Sequence, residues 1–183
     1  LMKEGYIDAL FDLATIEVVQ QMLGGYLAAS AERMTVATNL GIPQVIAPGA
    51  VSCNTFGSPD TIPERFRDRQ LVRHSSLFTN VRNNAQELKE LAIEQAKRVN
   101  PAKGPIEWFI PLKGFCSYSV EGGPLYNPEA DKVYIDTLRA YLRKDIPVHL
   151  IEADINDPQF ISQMAESLVS MIKSQKNKKM EVN

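Results

Sequence analysis

Residues 84–110 read NAQELKELAIEQAKRVNPAKGPIEWFI, and this stretch decides the fold. Asn84 stands three residues before Glu87, the capping-box spacing that satisfies free N–H groups at a helix start. Ala85, Leu88, Ala92, Ala96 and Val99 recur at helical spacing, so an amphipathic helix over 84–99 is predicted. Ile106-Glu107-Trp108-Phe109-Ile110 then reads as a strand. A helix followed by a strand is half of a crossover unit, and the question is whether the unit repeats.

It repeats on both sides. Downstream, Asn127-Pro128 starts a helix by the cap-then-proline rule, with Ala130, Tyr134, Leu138, Tyr141 and Leu142 facing inward. Ile146 to Ile151 is a strand, and Asp157-Pro158 opens a last helix whose stripe is Ile161, Met164, Ala165, Leu168, Met171 and Ile172. Upstream, the short run Tyr6 to Phe11 reads as a strand buried on both faces. Thr15 offers a helix-capping hydroxyl before Ile16, Val19, Leu23 and Tyr26, and Gly24-Gly25 interrupts or ends that helix. A second helix from about Ala31 stops at Gly41, and residues 43–47 form the next strand. Leu71-Val72-Arg73 is a candidate fifth strand. The alternation predicts an α/β fold: a Rossmann-like three-layer sandwich with a mostly parallel sheet of four to five strands and helices on both faces. Residues 1–172 are expected to form one domain, and 173–183 a flexible, Lys-rich tail. Leu1 to Gly5 reads as a helix end at a glycine cap, so the chain is expected to be part of a longer protein.

Composition narrows the function classes. The chain has 183 residues, 44% apolar and 23% charged, with a formal net charge of −2. At that length a fold buries roughly 70% of its unfolded surface and needs no staples. The balance argues against a protein that coats nucleic acid or an anionic membrane. No apolar run approaches the roughly 20 residues of a membrane span. Two cysteines, Cys53 and Cys116, suit a reducing compartment or a single bridge and cannot make an all-cysteine zinc site; a cytoplasmic location is expected.

Parallel sheets bind ligands outside the carboxyl ends of their strands. Those ends nominate Asp12 and Thr15, Pro48-Gly49, Lys113-Gly114, and Glu152 with Asp154. Two long aperiodic loops, 48–70 and 111–127, leave the same edge, and loops of that length are usually functional. The second combines Lys113, Gly114, Gly122 and Gly123 with Ser117 and Ser119, which suits a phosphate but equally a structural lid. Arg73-His74 can bind an anion or supply an acid or base near neutral pH, or can be a satisfied loop boundary. His149 reads as a structural imidazole inside a strand. Asp12 can hold a ribose hydroxyl or metal, or cap the helix region after it. Gly24-Gly25 can approach a ligand or serve close packing, and Arg65, Arg67, Arg69 and Arg73 are either a solvated face or an anion clamp. No base is adjacent in sequence to activate either cysteine.

Five runs also carry a resemblance: DLATIEVVQQMLGG (12–25), GIPQVIAPGA (41–50), RHSSLFTNVR (73–82), IPLKGFCSYSVEGGPLYNPEAD (110–131) and INDPQF (155–160). In order, spacing and content they resemble an uncharacterised family of bacteria, fungi and plants that includes the tomato tobamovirus-resistance protein. Members are about twice this length, with two Rossmann-like halves, and this chain resembles the C-terminal half. The resemblance implies binding of ATP, with Mg²⁺, or of another phosphorylated small molecule, a missing N-terminal half as partner, and a homo-oligomer. The resemblance covers Thr15, Gly49, Arg73, His74 and Gly114; with Asp12, Lys113 and Ser117 from the strand ends and the Gly-rich loop, these are the candidate ligand residues, His74 being the candidate acid or base. A metabolic enzyme using His74 and a protein-interaction module like the plant inhibitor are the alternatives. Ser119 and Asn127 stand where the family tends to have aspartate, and Asp154 where it often has histidine.

Overall fold

The computed structural model describes residues 1–181, with side chains through residue 177. In chain order the elements are β1 (Leu10–Ala14), α1 (Ile16–Leu23), α2 (Thr35–Leu40), β2 (Gln44–Gly49), β3 (Cys53–Phe56), β4 (Leu71–Arg73), β5 (Thr79–Arg82), α3 (Ala85–Val99), β6 (Ile106–Pro111), α4 (Pro128–Tyr141), β7 (Val148–Ile151) and α5 (Pro158–Glu181). Short 3-10 turns occupy Pro59–Thr61 and Glu64–Phe66. Four strands pair in parallel in the order β1-β2-β6-β7.

Alternation along β2 and β6 divides the core. Ile46, Trp108 and Ile110 face Val18 and Val19 of α1, Leu88 and Leu91 of α3, and Tyr134 and Leu138 of α4. Val45, Ala47 and Phe109 face the opposite way, onto Phe160, Met164 and Leu168 of α5. Helices therefore cover both faces of a parallel sheet, the expected α/β class. Glycines end the helices where the periodicity stops: Gly24 (φ 77°) caps α1 and Gly41 (φ 73°) caps α2, each in the left-handed region. Gly5 (φ 79°) closes a turn in the same way, with Tyr6 N–H on the Leu1 carbonyl and Gly5 N–H on that of Met2, both at 3.1 Å.

Several expectations are corrected. The first strand begins at Leu10, not Tyr6, because its partner starts after Pro43, which has no N–H for the ladder. It is an edge strand, and Tyr6 is exposed. The brief strand at Leu71–Arg73 exists but is no fifth member of the parallel sheet. It joins a separate antiparallel sheet in the order β3-β5-β4; β3 falls inside the expected 48–70 loop, and no element was expected at β5. Tyr141 and Ala165 are exposed rather than inward. The Lys-rich stretch from residue 173 is helical to Glu181 as the continuation of α5, where an irregular tail was expected; residues 182–183 lie outside the described residues. Among the described residues, no helix is long and apolar enough to cross a membrane.

The capping box before α3 is formed as read: Asn84 Oδ1 accepts from Glu87 N–H at 2.9 Å, and Glu87 Oε2 accepts from Asn84 N–H at 2.9 Å. Asn84→Ala should lower the unfolding free energy by about 1 kcal/mol in urea denaturation, while Asn84→Asp leaves it nearly unchanged. Equal losses in both variants would contradict the capping role.

Candidate functional site

The sheet order follows the chain order, so there is no reversal inside the described fold and no crevice of the switch-point kind. The carboxyl edge is built up by two insertions instead. The antiparallel sheet leaves the end of β2, and the 112–127 loop leaves the end of β6. They meet where Ala50, at φ 59°, donates its N–H to the Phe115 carbonyl at 2.6 Å. A non-glycine residue in this region costs on the order of 1 kcal/mol and marks a place where surroundings dictate the backbone.

Arg82 fixes the meeting. It is 3% exposed, and its guanidinium donates to the Ser52 carbonyl (2.8 Å), the Asn127 carbonyl (2.9 Å) and Asp131 Oδ1 (2.6 Å). One side chain from β5 thus ties the β2–β3 turn to the start of α4. Burial pushes the Asp131 carboxyl up, to about 6, against the pull of Arg82.

Between the two insertions lies a cavity of about 460 Å³. Ile16, Leu27 and Phe78 give it an apolar wall, and His74, Asn80, Cys53, Cys116, Ser117 and Tyr118 line the rest. Its polar side rests on a buried relay. Gln20 Nε2 donates to Thr55 Oγ1 (3.1 Å), Thr55 N–H donates to Gln20 Oε1 (3.0 Å), and Thr55 Oγ1 donates to Asn80 Oδ1 (2.9 Å). At the rim His74 Nδ1 and the Tyr118 hydroxyl are 2.9 Å apart, their rings edge to face.

The two cysteines share this cavity. Cys116 Sγ lies 3.5 Å from both Ser52 Oγ and Ser119 Oγ. The neighbouring Cys53 thiol, with Ser52, Ser119 and the Tyr118 N–H, lowers Cys116 to about 5. The same proximity, with burial, pushes Cys53 up. Cys53 is buried and Cys116 is partly exposed.

The expected site residues divide into three groups. His74 and Ser117 come together in the cavity, with Arg73 beside His74 at the end of β4, its Nε on the Ser75 carbonyl (3.3 Å). Lys113 and Gly114 line a neighbouring cavity of about 490 Å³ with Asp131, Lys132 and Asp154. Asp12, Thr15 and Gly49 are committed to the fold. Asp12 sits within β1, not at its end, and Arg33 holds both its oxygens at 2.6 and 2.7 Å. Thr15 caps nothing with its side chain; its buried hydroxyl donates to the Ala47 carbonyl (3.4 Å) and accepts from Gln95 (2.9 Å). Gly49 packs so closely on β1 that a Cβ there would lie 2.3 Å from the Leu13 carbonyl oxygen.

In the 111–123 loop the N–H groups of Phe115 and Cys116 both donate to Ser119 Oγ at 3.1 Å, so two of the amides that a phosphate could use are spent within the loop. Asn127 caps α4 through Ala130 N–H (3.1 Å), and Asp154 accepts from Asn156 N–H (2.8 Å). Gly25 serves close packing: a Cβ there would meet Gln20 Oε1 at 1.7 Å. The arginine run is structural in part, with Arg67 on Glu64, and with Arg69 on Glu87 and over the Phe66 ring. His149 pairs with Glu107 at 2.8 Å and stacks on Phe109. What the sequence reading missed is the thiol pair. Sixty-three positions separate the cysteines, and their only sequence signal was that both leave the same edge.

Because Arg82 neutralises a buried carboxylate, Arg82→Met should cost on the order of 3 kcal/mol in denaturant unfolding, and adding Asp131→Leu should restore much of it. A loss below about 1 kcal/mol for the single variant would show that the pair does not hold the insertions together.

Comparison with known proteins finds relatives over nearly the whole chain. The model of the uncharacterised protein family UPF0261, C-terminal domain, matches residues 1–172. A UPF0261 protein of Clostridium tetani is 37% identical over 94% of this chain, and UPF0261 protein mlr3387 of Mesorhizobium japonicum is 30% identical over 92%. The ToMV resistance protein Tm-1(GCR237) of Solanum lycopersicum is 27% identical over 93% of the chain. The matched region is 43% of each bacterial relative and 23% of the tomato protein, so the chain spans less than half the length of these relatives. By the match over nearly its whole length, the chain belongs to the UPF0261 family, as its C-terminal domain.

Proposed function

We propose that this domain binds a small molecule with an apolar or aromatic part and an anionic part, ATP or another phosphorylated compound, in the cavity between the antiparallel sheet and the 112–127 loop. The observation that carries the reading is the cavity itself. It has the size of a small-ligand site, an apolar wall and a few converging polar groups, at the carboxyl edge of a parallel sheet.

A nucleotide fits in outline. The ring would lie against Ile16, Leu27 and Phe78, with Asn80, Ser117 and His74 as hydrogen-bonding partners. Side chains are the candidate partners for negative charge, because the Phe115 and Cys116 amides are taken by Ser119. Arg73 beside His74 and Lys113 in the adjoining cavity are the candidate cations. Mg²⁺ would arrive on the phosphates themselves, as it usually does, with few protein carboxylates needed. The longer relatives contain sequence beyond the matched region, and a second domain there is the expected source of further contacts.

A second reading is favoured by the His74–Tyr118 hydrogen bond, which orients an exposed imidazole toward the cavity. In that reading the protein is an enzyme of small-molecule metabolism, with His74 as acid or base.

Titration calorimetry with ATP, Mg-ATP and inorganic phosphate, on this chain and on a full-length relative, tests the proposal. Mg-ATP should bind at micromolar to millimolar concentration, and His74→Ala should weaken it about tenfold, the worth of one hydrogen bond to a charged group. No heat from either protein at millimolar nucleotide would overturn the nucleotide reading. If a turnover assay becomes available, unchanged affinity with a loss of about 10²-fold or more in rate for His74→Ala would favour the enzyme.

A further inference from the structure

We infer that Cys116 and Cys53 form a nucleophile–resolver pair that reacts with low-molecular-weight disulfides and closes an intramolecular disulfide across the ligand cavity. The inference does not depend on which ligand the cavity holds.

Position assigns the roles. Cys116 is partly exposed and lines the cavity, so an incoming disulfide of the glutathione type can reach its sulfur. Cys53 is 2% exposed at the head of β3, out of reach of a bulky reagent; it lines the same cavity as Cys116 and follows Ser52, whose hydroxyl lies 3.5 Å from Cys116 Sγ. The strained turn at Ala50, whose carbonyl lies 3.7 Å from Cys53 Sγ, brings them together. A nucleophilic thiol also needs an environment that favours the thiolate. Ser52 and Ser119 lie at 3.5 Å from Cys116 Sγ. The Arg82 guanidinium stands one residue behind, on the Ser52 carbonyl. The charged or titratable groups around the pair are Arg82 from β5, Asp131 from α4, His74 after β4 and Tyr118 in the 112–127 loop. Of these Asp131 opposes the thiolate and Arg82 offsets it. With these contacts Cys116 titrates near 5 and remains a thiolate at neutral pH.

The chemistry balances with one disulfide as oxidant. The Cys116 thiolate attacks one sulfur of RS–SR. The S–S bond breaks, RS⁻ departs and takes a proton from water, and Cys116 carries a mixed disulfide. Cys53 then loses its proton to solvent and attacks the Cys116 sulfur, expelling the second RS⁻. Two protein thiols are oxidised to one disulfide, and RS–SR is reduced to two RSH. The new bond links the antiparallel sheet to the 112–127 loop and removes the thiolate charge from the cavity.

The test uses the 183-residue chain, reduced and then exposed to glutathione disulfide, quenched with acid and weighed by mass spectrometry without reductant. The wild type should become two hydrogens lighter, with a Cys53–Cys116 crosslink in the peptide map and no lasting glutathione adduct. Cys53→Ser should hold a single glutathione on Cys116, and Cys116→Ser should react at neither position while circular dichroism shows it folded. At pH 6 the first step should run about tenfold faster than for an unperturbed thiol, after allowing for the lower nucleophilicity of a low-pKa sulfur. Stable adducts without a crosslink in the wild type, or reaction of folded Cys116→Ser at the wild-type rate, would overturn the assignment. Should a variant fail to fold, the wild-type crosslink decides alone.

Discussion

Arg82 is a charged side chain almost wholly removed from water, and three segments of the chain depend on where its guanidinium points. It satisfies the Ser52 and Asn127 carbonyls and neutralises Asp131. Desolvating an arginine and an aspartate is costly, and the pair is tolerable only because almost every polar atom finds a partner. The consequence is geometric. The turn after β2, the end of β5 and the start of α4 are held at fixed separations, and the cavity is the space those separations leave. Ser52 and Cys116 face each other at 3.5 Å because Arg82 pins the turn that carries Ser52.

The parallel layer was legible in the sequence. Glycines at 24 and 41, the capping box at Asn84 and the proline after Asn127 mark helix ends by local chemistry, and the structure uses each of them there or one residue away. Trp108 and Ile110 against Phe109 show the two-sided burial that makes a central strand read as one apolar run. The antiparallel sheet was not legible. Cys53-Asn54-Thr55-Phe56 and Thr79-Asn80-Val81-Arg82 are short and polar, and they lack the alternation that identifies a half-buried strand. Thr55 is satisfied by Gln20 and Asn80, and Arg82 by Ser52, Asn127 and Asp131, partners mostly distant in sequence. The candidate site was legible only in part for the same reason. Strand ends pointed to the edge where the cavities lie, and His74, Lys113 and Ser117 line them. Asp12, Thr15 and Gly49 lie on the same strands, yet their side chains or close contacts are spent on β1, β2 and α3. No local pattern distinguishes a carboxylate claimed by Arg33 from one left open.

The 112–127 loop shows how a motif of suitable composition can turn inward. Its lysine, glycines and serines match what a phosphate requires, but Ser119 takes two of its amides and thereby draws Cys116 into place. With those amides spent, the loop places Cys116 on the cavity wall. In the proposed reading, negative charge on a ligand would fall to Arg73, Lys113 and His74, which stand on separate segments, and sequence beyond the matched region in the longer relatives would supply further contacts.

Amide chemical-shift mapping of the isotopically labelled chain during titration with Mg-ATP tests the central claim most directly, because it reports location independently of affinity. The account predicts that perturbations gather at residues 50–55, 73–80 and 113–119, the three segments around the His74–Cys116 cavity. Perturbations gathered instead around Asp12 and Arg33 on the β1 edge, or none at millimolar nucleotide, would contradict it.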